Sequence, residues 1–574
     1  MNNRAKRKIK EASGLLLILK NKHPGVIMLV QFASSSKNFG GAVMMHPDFD
    51  QIVDRRNTAS FKWDLVHKLY GDDVLPMWIA DMDFVTCPKI IEALKRRIEH
   101  GIFGYTFRGQ EYYKTIVDWY ARRYGVQIEP DWIVNGPGVV PMLSFLIEKL
   151  TQPGDKVIIQ PPVYPPFFRV VENNGRRLVR NDLIRDIVDG KPVWKMDYEK
   201  LESLIDDRTK MLIISNPHNP VGRVWTFEEL EKLYKIARKY DLIILSDEIH
   251  ADIIYRPVKF TSFLAVGHEG VVVLNSPGKT FNIAGLTNSY AIIPDRTIRR
   301  EYKNYMENLE LLAGNVLSLE ALKAAYECDD WVDALLSYLE SNRDFAYHYI
   351  KTNMPALVPS HPEGTYLLWI DCSEMNVESP AKLFLERGRV YLNDGADFGA
   401  PECVRLNFAC PKSVLQEGLE RMRVAYNSGF ELKECRVDND EYEICREIRT
   451  EVFNKEQGIP LELDFDEHEK TARHFLLKFF SRPVATARAR QIEPGIWKIE
   501  RVAVRLQDRG KGFGKKLMSL LEEKLFSEGA QKLTLNAQIQ VKDFYVKLGY
   551  NIVGSEFLEA GIPHVKCEKT RAEG

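Results

Sequence analysis

Four short, fully apolar runs recur in the first half of the chain and constrain its fold more than any other feature. They are residues 157–159, 211–214, 242–245 and 271–274. Short apolar runs separated by turns and helix-like stretches are typical of parallel strands covered by helices on both faces. The sequence therefore predicts an α/β domain with a mostly parallel sheet.

Polar side chains follow three of these runs, where each strand should end. Asn219 follows the second run, Asp247 and His250 follow the third, and Ser276 and Lys279 follow the fourth. Since the carboxyl ends of parallel strands share one edge of a sheet, these side chains should form a site. A partly desolvated lysine has a lowered pKa and can form a Schiff base with an aldehyde.

A glycine-rich turn upstream suits a phosphate group. Residues 132–143 pass from an apolar strand through Gly136 and Gly138 into an apolar helix. Free N–H groups and the positive end of the helix dipole meet at such a junction. An ordinary helix start is equally compatible with this segment taken alone.

Composition excludes several classes of function. The formal net charge of -1 over 574 residues argues against a nucleic-acid partner. The eight cysteines contain no CxxC pair, which predicts free thiols in a reducing cytoplasm and neither a disulfide framework nor a metal site. No apolar span approaches the ~20 residues that cross a bilayer, so we expect no membrane partner.

The length predicts two or three domains. Residues 1–45 form a basic leader, which is interpreted as disordered or as translated from a start codon assigned too far upstream. Residues 46–428 form the first predicted domain, whose last part is a smaller α+β lobe. A new series of strand and helix signals begins near residue 431 and continues to residue 574, which predicts a second domain.

Six segments of the first domain resemble a known family. They are residues 75–84, 136–141, 162–167, 216–223, 246–250 and 276–286. Together they resemble the MalY/PatB-type cystathionine β-lyases, a branch of the fold-type I pyridoxal phosphate (PLP) enzymes related to class I/II aminotransferases. The resemblance implies a large, mostly parallel-sheet domain with a small α+β lobe.

The same resemblance implies roles around the cofactor ring. Lys279 would hold PLP as a Schiff base and remove the Cα proton of the substrate. Asp247 would pair with the pyridine nitrogen, and Asn219 would bind the phenolic oxygen. Tyr164 would stack on the ring, and His250 would contact it.

Further roles concern the phosphate and the substrate. The backbone of Gly138, Val139 and Val140 would bind the phosphate, with Ser276 assisting. Tyr105 would reach the phosphate of a neighbouring subunit, which implies a homodimer. Arg405 would bind the substrate carboxylate in bidentate fashion.

The implied reaction is α,β-elimination from cystathionine or another S-substituted L-cysteine, giving a thiol, pyruvate and ammonia. An aminotransferase would use the same residues, and the chemistry of the residues does not separate the two outcomes. The closer resemblance to the lyase branch favours elimination.

The second domain carries a different signature. Residues 499–504 are predicted as a strand, followed by an R-x-x-G-x-G loop and a helix with leucines on one face. The N–H groups of such a loop suit a pyrophosphate, and the pattern resembles the acyl-CoA loop of the GNAT N-acetyltransferases. The resemblance implies an α+β acyltransferase domain that binds acetyl-CoA through Val502, Val504, Arg509, Gly510, Lys511, Gly512, Phe513, Gly514 and Asn536.

Two residues are candidates for acetyl-transfer chemistry. Tyr545, on a helix predicted over residues 541–550, occupies the position of the family's general acid, although packing in the core would equally explain it. Glu500 is a candidate base for the acceptor amine, but a strand carboxylate facing solvent is the preferred interpretation. His564 is not assigned.

The predicted protein is therefore a bifunctional cytoplasmic enzyme acting on small amino acids. One alternative combines transamination with a C-terminal domain that senses acyl-CoA without turnover. A further hypothesis is that both halves act on related sulfur compounds, because fusion raises local concentration.

Overall fold

The computed structural model describes residues 47–188 and 191–571, so the predicted basic leader lies outside the described residues. The elements up to the end of the large sheet are α1 (Asp64–Tyr70), β1 (Leu75–Pro76), α2 (Pro88–Glu99), α3 (Gln110–Trp119), β2 (Ile133–Gly136), α4 (Val139–Leu150), β3 (Lys156–Ile159), α5 (Pro166–Glu172), β4 (Arg177–Arg180), β5 (Ile184–Val188), β6 (Lys191–Lys195), α6 (Tyr198–Ser203), β7 (Thr209–Ser215), α7 (Phe227–Lys239), β8 (Ile243–Asp247), β9 (Val271–Asn275) and β10 (Ser289–Ile292).

The seven-stranded sheet has the order β2-β10-β9-β8-β7-β3-β4, in which β10 alone runs antiparallel to its neighbours. The four predicted apolar runs are β3, β7, β8 and β9, which lie side by side in parallel and are buried on both faces. Helix α7 begins with the capping box of Thr226 and Glu229. The predicted mostly parallel sheet is confirmed.

The chain then forms a smaller lobe. Its elements are α8 (Arg296–Asn308), α9 (Val316–Ala325), α10 (Asp329–Asn353), β11 (Val358–Pro359), β12 (Leu367–Asp371), α11 (Pro380–Gly388), β13 (Val390–Tyr391), β14 (Asn393–Asp394), β15 (Cys403–Asn407) and α12 (Lys412–Asn427). The antiparallel sheet β11-β12-β15-β14 is at its centre. The pairing of β1 with β13 joins this lobe to the N-terminal segment.

A second seven-stranded sheet follows. Its domain contains β16 (Phe430–Cys435), α13 (Asp440–Arg449), α14 (Leu461–Asp464), β17 (Arg473–Phe479), β18 (Arg482–Glu493), β19 (Ile496–Val504), α15 (Phe513–Ser527), β20 (Lys532–Gln538), α16 (Lys542–Lys547), β21 (Asn551–Glu559) and β22 (Ile562–Thr570). The strand order is β16-β17-β18-β19-β20-β22-β21. Helix α16 is shorter than predicted, because Gly549 with its φ of 88° follows shortly after the helix end.

Strands β19 and β20 pair in parallel over only three residue pairs and then separate. The paired end joins Ile496 with Lys532 and Lys498 with Thr534. Beyond that point the two strands diverge, which leaves a notch in the middle of an otherwise continuous sheet.

The connection between α12 and β16 is very short. Helix α12 ends at Asn427 and β16 begins at Phe430. The ring of Tyr426 packs against Phe430 and Phe479 with centroid separations of 5.6 and 5.2 Å. A Cβ at position 429 would lie 2.4 Å from the ring of Phe480, so the close packing of this connection requires a glycine there.

One expectation about the cysteines is wrong. Cys87 and Cys328 form a disulfide across a sequence separation of 241 residues, while the other six cysteines are free and buried. The two residues directly precede α2 and α10, and the fold brings these helix N-termini together. Within the described ranges, no helix is long and apolar enough to cross a membrane.

Candidate active sites

The turn after β9 places Lys279 against the N-terminal segment. Its Nζ donates a hydrogen bond to the carbonyl oxygen of Ala80. Burial lowers the pKa of Lys279 to about 8, with Arg405 adding to the fall and with Asp81 and Asp247 opposing it. This lysine is therefore partly neutral, and nucleophilic, near physiological pH.

Asp247 ends β8, the neighbouring strand, and is buried. One carboxylate oxygen accepts from the N–H of Ile249 at 3.1 Å. Burial raises the pKa of Asp247 to about 7, against the opposing effects of that N–H and of Lys279. Among the described residues no cation forms an ion pair with this carboxylate, so it suits a protonated ring nitrogen.

Asn219 and Arg405 contact each other although they lie in different lobes. Arg405 Nη1 donates to Asn219 Oδ1 at 2.9 Å, which leaves the Asn219 amide N–H groups to donate elsewhere. Arg405 Nη2 donates to Asn393 Oδ1 at 2.6 Å and to the Trp78 oxygen at 3.1 Å. No carboxylate in the described part of the chain pairs with the buried guanidinium, so its charge is available to a ligand carboxylate.

Aromatic residues surround these groups. His250 is buried, its Nδ1 has no hydrogen-bond partner among the described residues, and its ring meets Tyr366 edge-on at 5.7 Å. Burial, with Lys279 and Arg405, lowers the pKa of His250 well below its ordinary value, so the ring is neutral. Burial also raises the pKa of Tyr164.

Two contributors to this site were missed at the sequence level. Tyr366 donates to the Ala80 oxygen at 3.1 Å, the same oxygen that accepts from Lys279. A main-chain carbonyl such as that of Ala80 has no signature in a sequence. The available signal is that residues 75–84, which contain Ala80, are one of the six segments that carry the family resemblance.

The predicted phosphate-binding residues lie at the start of α4. Gly138 precedes the helix, and Val139 and Val140 occupy its first turn. The hydroxyl of Ser276 donates to the Asn288 oxygen at 2.6 Å and accepts from the Gly278 N–H. Tyr105 is fully exposed and takes no part in the site of its own chain.

These residues fit a pyridoxal phosphate group by their chemistry. A lysine of lowered pKa, a buried carboxylate without a cation and an unpartnered imidazole nitrogen lie together at one sheet edge. Each would be costly to keep in an apolar core without a ligand.

The second site is the notch between β19 and β20. It opens into a cavity of about 890 Å³, lined among others by Val502, Val504, Asn536 and Tyr545. Helix α15 begins at this cavity, after a loop in which Gly510 and Gly512 both have a φ of 78°. A backbone of this shape presents N–H groups to an anion.

The side chains of that loop are already engaged. Arg509 forms a bidentate pair with Glu456, with both distances at 2.7 Å, and Phe513 is buried among aromatic rings. Lys511 Nζ lies 2.7 Å from Glu374 of the smaller lobe. The loop can therefore offer its main chain to a pyrophosphate more readily than these side chains.

The preferred interpretation of Glu500 is wrong, because its side chain is buried and does not face solvent. It accepts from Arg488 at 3.0 Å and Arg490 at 3.2 Å, and it lies 3.1 Å from Lys498. Burial alone would raise the pKa of Glu500, but Arg488, Lys498 and Arg490 hold it below its ordinary value. Such a carboxylate is a weak base.

Tyr545 and Asn536 line the same cavity. Burial, with Cys567 nearby, raises the pKa of Tyr545, so its hydroxyl keeps its proton. Asn536 donates from Nδ2 to Glu559 at 2.7 Å.

The first sheet, the smaller lobe and the lysine site define a fold-type I transferase-like domain. Residues 72–422 match the family model for aminotransferase class I and II, and residues 442–571 match the model for the acetyltransferase (GNAT) domain. The chain belongs to the aminotransferase class I and II family and carries a C-terminal GNAT domain.

Individual proteins agree with the family resemblance of the sequence motifs. The chain is 39% identical over 389 residues to cystathionine beta-lyase PatB of Bacillus subtilis (strain 168), covering 66% of this chain and 99% of that protein. It is 34% identical to protein MalY of Escherichia coli (strain K12), covering 65% and 97%. Cystalysin from Treponema denticola, whose crystal structure contains a pyridoxal 5'-phosphate cofactor, matches with a TM-score of 0.64 and 34% identity, covering 67% and 100%.

Proposed function

We propose that the first domain is a PLP-dependent carbon–sulfur lyase that splits cystathionine or other S-substituted L-cysteines into a thiol, pyruvate and ammonia. The observation that carries this proposal is the group formed by Lys279, Asp247, Asn219 and Arg405 at one site. The naming of PatB as a cystathionine beta-lyase, at 39% identity, supports the lyase over the aminotransferase.

When bound, pyridoxal phosphate supplies an aldehyde for the substrate amine and an electron sink for the carbanion at Cα. Arg405 binds and orients the substrate carboxylate, and Asp247 holds the proton on the ring nitrogen. Lys279, whose pKa of about 8 leaves part of it neutral, takes the proton from Cα.

A homodimer is part of this proposal. Tyr105 is fully exposed, and Ile102, Phe103 and Phe107 around it are also exposed. Exposed apolar side chains in one short segment favour burial against a partner. Tyr105 of one subunit would then bind the phosphate in the other. Sedimentation of the purified protein tests the dimer, and Tyr105→Phe should lower its affinity for PLP.

One assay separates lyase from aminotransferase. Purified enzyme is supplied with cystathionine in the absence of any keto acid, and pyruvate and thiol are measured over many turnovers. A lyase continues to turn over, whereas an aminotransferase stops after one turnover per site because it lacks an acceptor. Sustained release of pyruvate that persists in Lys279→Ala would contradict the role given to Lys279.

We propose that the C-terminal domain transfers an acetyl group from acetyl-CoA to an amine. The GNAT match over residues 442–571 and the cavity of about 890 Å³ beside the glycine loop support this activity. Tyr545 keeps its proton and would donate it to the departing CoA thiolate.

The alternative is a domain that senses acyl-CoA without turnover. Tyr545→Phe distinguishes the two, because it should slow acetyl transfer while acetyl-CoA binding persists. Small amino acids, including S-substituted cysteines, are the first acceptors to test. The cytoplasm is the proposed compartment, because six of the eight cysteines are free thiols, although the disulfide between Cys87 and Cys328 is a feature that favours an oxidising compartment.

A further inference from the structure

The notch between β19 and β20 has two different faces, and strand register assigns each residue to one of them. Lys498 pairs with Thr534 in parallel, so Glu500 and Asn536, two residues further on, lie on one face. Across the next pair of strands, Gln538 is opposite His564. Glu500, Asn536, Gln538 and His564 therefore share one face of the sheet, which we call the polar face.

Tyr545 belongs to the opposite face. It belongs to the same hydrophobic core as Leu535, Val565 and Cys567, which alternate along β20 and β22 with the residues of the polar face. Cys567 is close enough to affect the pKa of Tyr545. Because Tyr545, Glu500 and His564 all line one cavity, that cavity passes through the sheet at the notch.

This arrangement separates the two proton-transfer steps of acetyl transfer. A thioester in the notch would have the hydroxyl of Tyr545 on one side, where the thiolate leaves. The amine must then approach from the other side, the polar face, and a base for it should be there.

The hydrogen bonding of His564 suits its side chain to act as a base. Its Nδ1 lies 2.8 Å from the Ile562 oxygen, and since a carbonyl can only accept, Nδ1 must carry the hydrogen. The lone pair of the neutral ring is therefore on Nε2, which accepts no hydrogen bond from the described residues. The side chain is buried, and its ring is stacked beside that of Phe557 with a centroid separation of 6.2 Å.

Glu500, a carboxylate on the same face of the notch, is tied to three cations. It cannot take a proton without weakening those ion pairs. Charged groups on the strand of His564 and on its neighbouring strands include Lys566, which pairs with Glu568, and Glu559, which accepts from Asn536 and also lines the cavity.

We propose that His564, on the polar face of the notch, is the base that accepts the proton from the acceptor amine. This rests on the proposed acetyl transfer. The amine nitrogen attacks the thioester carbonyl carbon, the N–C bond forms and the C–S bond breaks. The amine proton goes to His564 Nε2, and the CoA thiolate takes the proton of Tyr545.

The test compares His564→Gln with Glu500→Gln in the full-length protein. Acetyl transfer from acetyl-CoA is followed by mass spectrometry of the N-acetylated product, because the first domain would itself release a thiol from an S-substituted cysteine. S-methyl-L-cysteine, ethylamine and spermidine are the probes, and acetyl-CoA affinity is measured by calorimetry. His564→Gln should lower kcat/KM for the amine by at least ~100-fold, in the range of a lost general base, and should leave acetyl-CoA affinity within about twofold. Glu500→Gln should keep more of the activity, and His468→Gln, outside the cavity lining, should match the wild type.

A second measurement guards against misfolding of the variant. His564→Ala should regain activity when imidazole is added. If the wild type transfers acetyl to an amine and His564→Gln keeps its rate within threefold, the role of His564 is wrong while the acetyltransferase stands. If the wild type binds acetyl-CoA and acetylates none of the probes, the proposed acetyl transfer fails and this inference with it.

Discussion

Arg405 donates to Asn219 over 2.9 Å, so two side chains expected to bind different parts of a ligand fix each other's orientation. Arg405→Lys keeps the charge but loses the planar guanidinium, whose two terminal nitrogens contact Asn219 and Asn393 at the same time. We expect KM for an S-substituted cysteine to rise about 10- to 100-fold, as for the loss of one charged hydrogen bond. PLP content, measured by absorbance, should change little.

Arg177→Lys is a suitable control, because Arg177 lies on β4 of the same domain and is exposed. It should behave as the wild type. An unchanged KM in Arg405→Lys would mean that the substrate carboxylate binds elsewhere.

The lowered pKa of Lys279 predicts a pH-dependent cost in stability. Below pH 8 the lysine is charged in both the folded and the unfolded chain, and burial penalises the folded state by about 3 kcal/mol. From pH 8 to about 10.5 the folded state has lost its proton, and the penalty fades. In cofactor-free protein, Lys279→Met should therefore be more stable than the wild type at pH 7, by a margin that shrinks at pH 10.

Denaturant unfolding at both pH values measures this margin. The comparison between the two pH values removes the part of the effect that comes from the lost hydrogen bond to Ala80. A margin independent of pH would show that the lysine is not desolvated.

The ion pair between Lys511 and Glu374 predicts that a residue of the smaller lobe affects the affinity for acetyl-CoA. Both side chains are partly exposed, so the pair is worth at most about 1 kcal/mol. Glu374→Gln would remove the nearer of two carboxylates beside Lys511 and leave Asp508 at 3.9 Å, so Lys511 could turn to a phosphate more easily. Acetyl-CoA affinity should then rise about two- to fivefold at low salt. Calorimetry in a Lys511→Gln background provides the control, since Glu374→Gln should have no effect there.

The disulfide predicts how many thiols react before and after reduction. Unreduced, denatured protein should titrate six thiols with a thiol reagent, and reduced protein should titrate eight. Cys328→Ser should lower the free energy of unfolding by about 2–4 kcal/mol under non-reducing conditions. Eight thiols before reduction would place Cys87 and Cys328 in the reduced state.

Much of the first site followed from sequence because its residues end adjacent parallel strands. Asp247 and Lys279 come after apolar runs that only a doubly covered sheet explains, so their proximity could be expected. The surroundings of Glu500 could not be expected from the sequence, because the register of β18 and β19 is what brings Arg488 and Arg490 to it. The disulfide was missed for a similar reason, since 241 residues separate its halves and only the packing of helices brings them together.

The short connection between α12 and β16 limits how the two active sites can cooperate. Only residues 428 and 429 separate the two elements, a span of about 7 Å when extended. Neither domain can therefore swing toward the other as a carrier on a flexible arm. A thiol or amine made at one site would have to diffuse to the other, so adding a second enzyme that consumes the intermediate should intercept it.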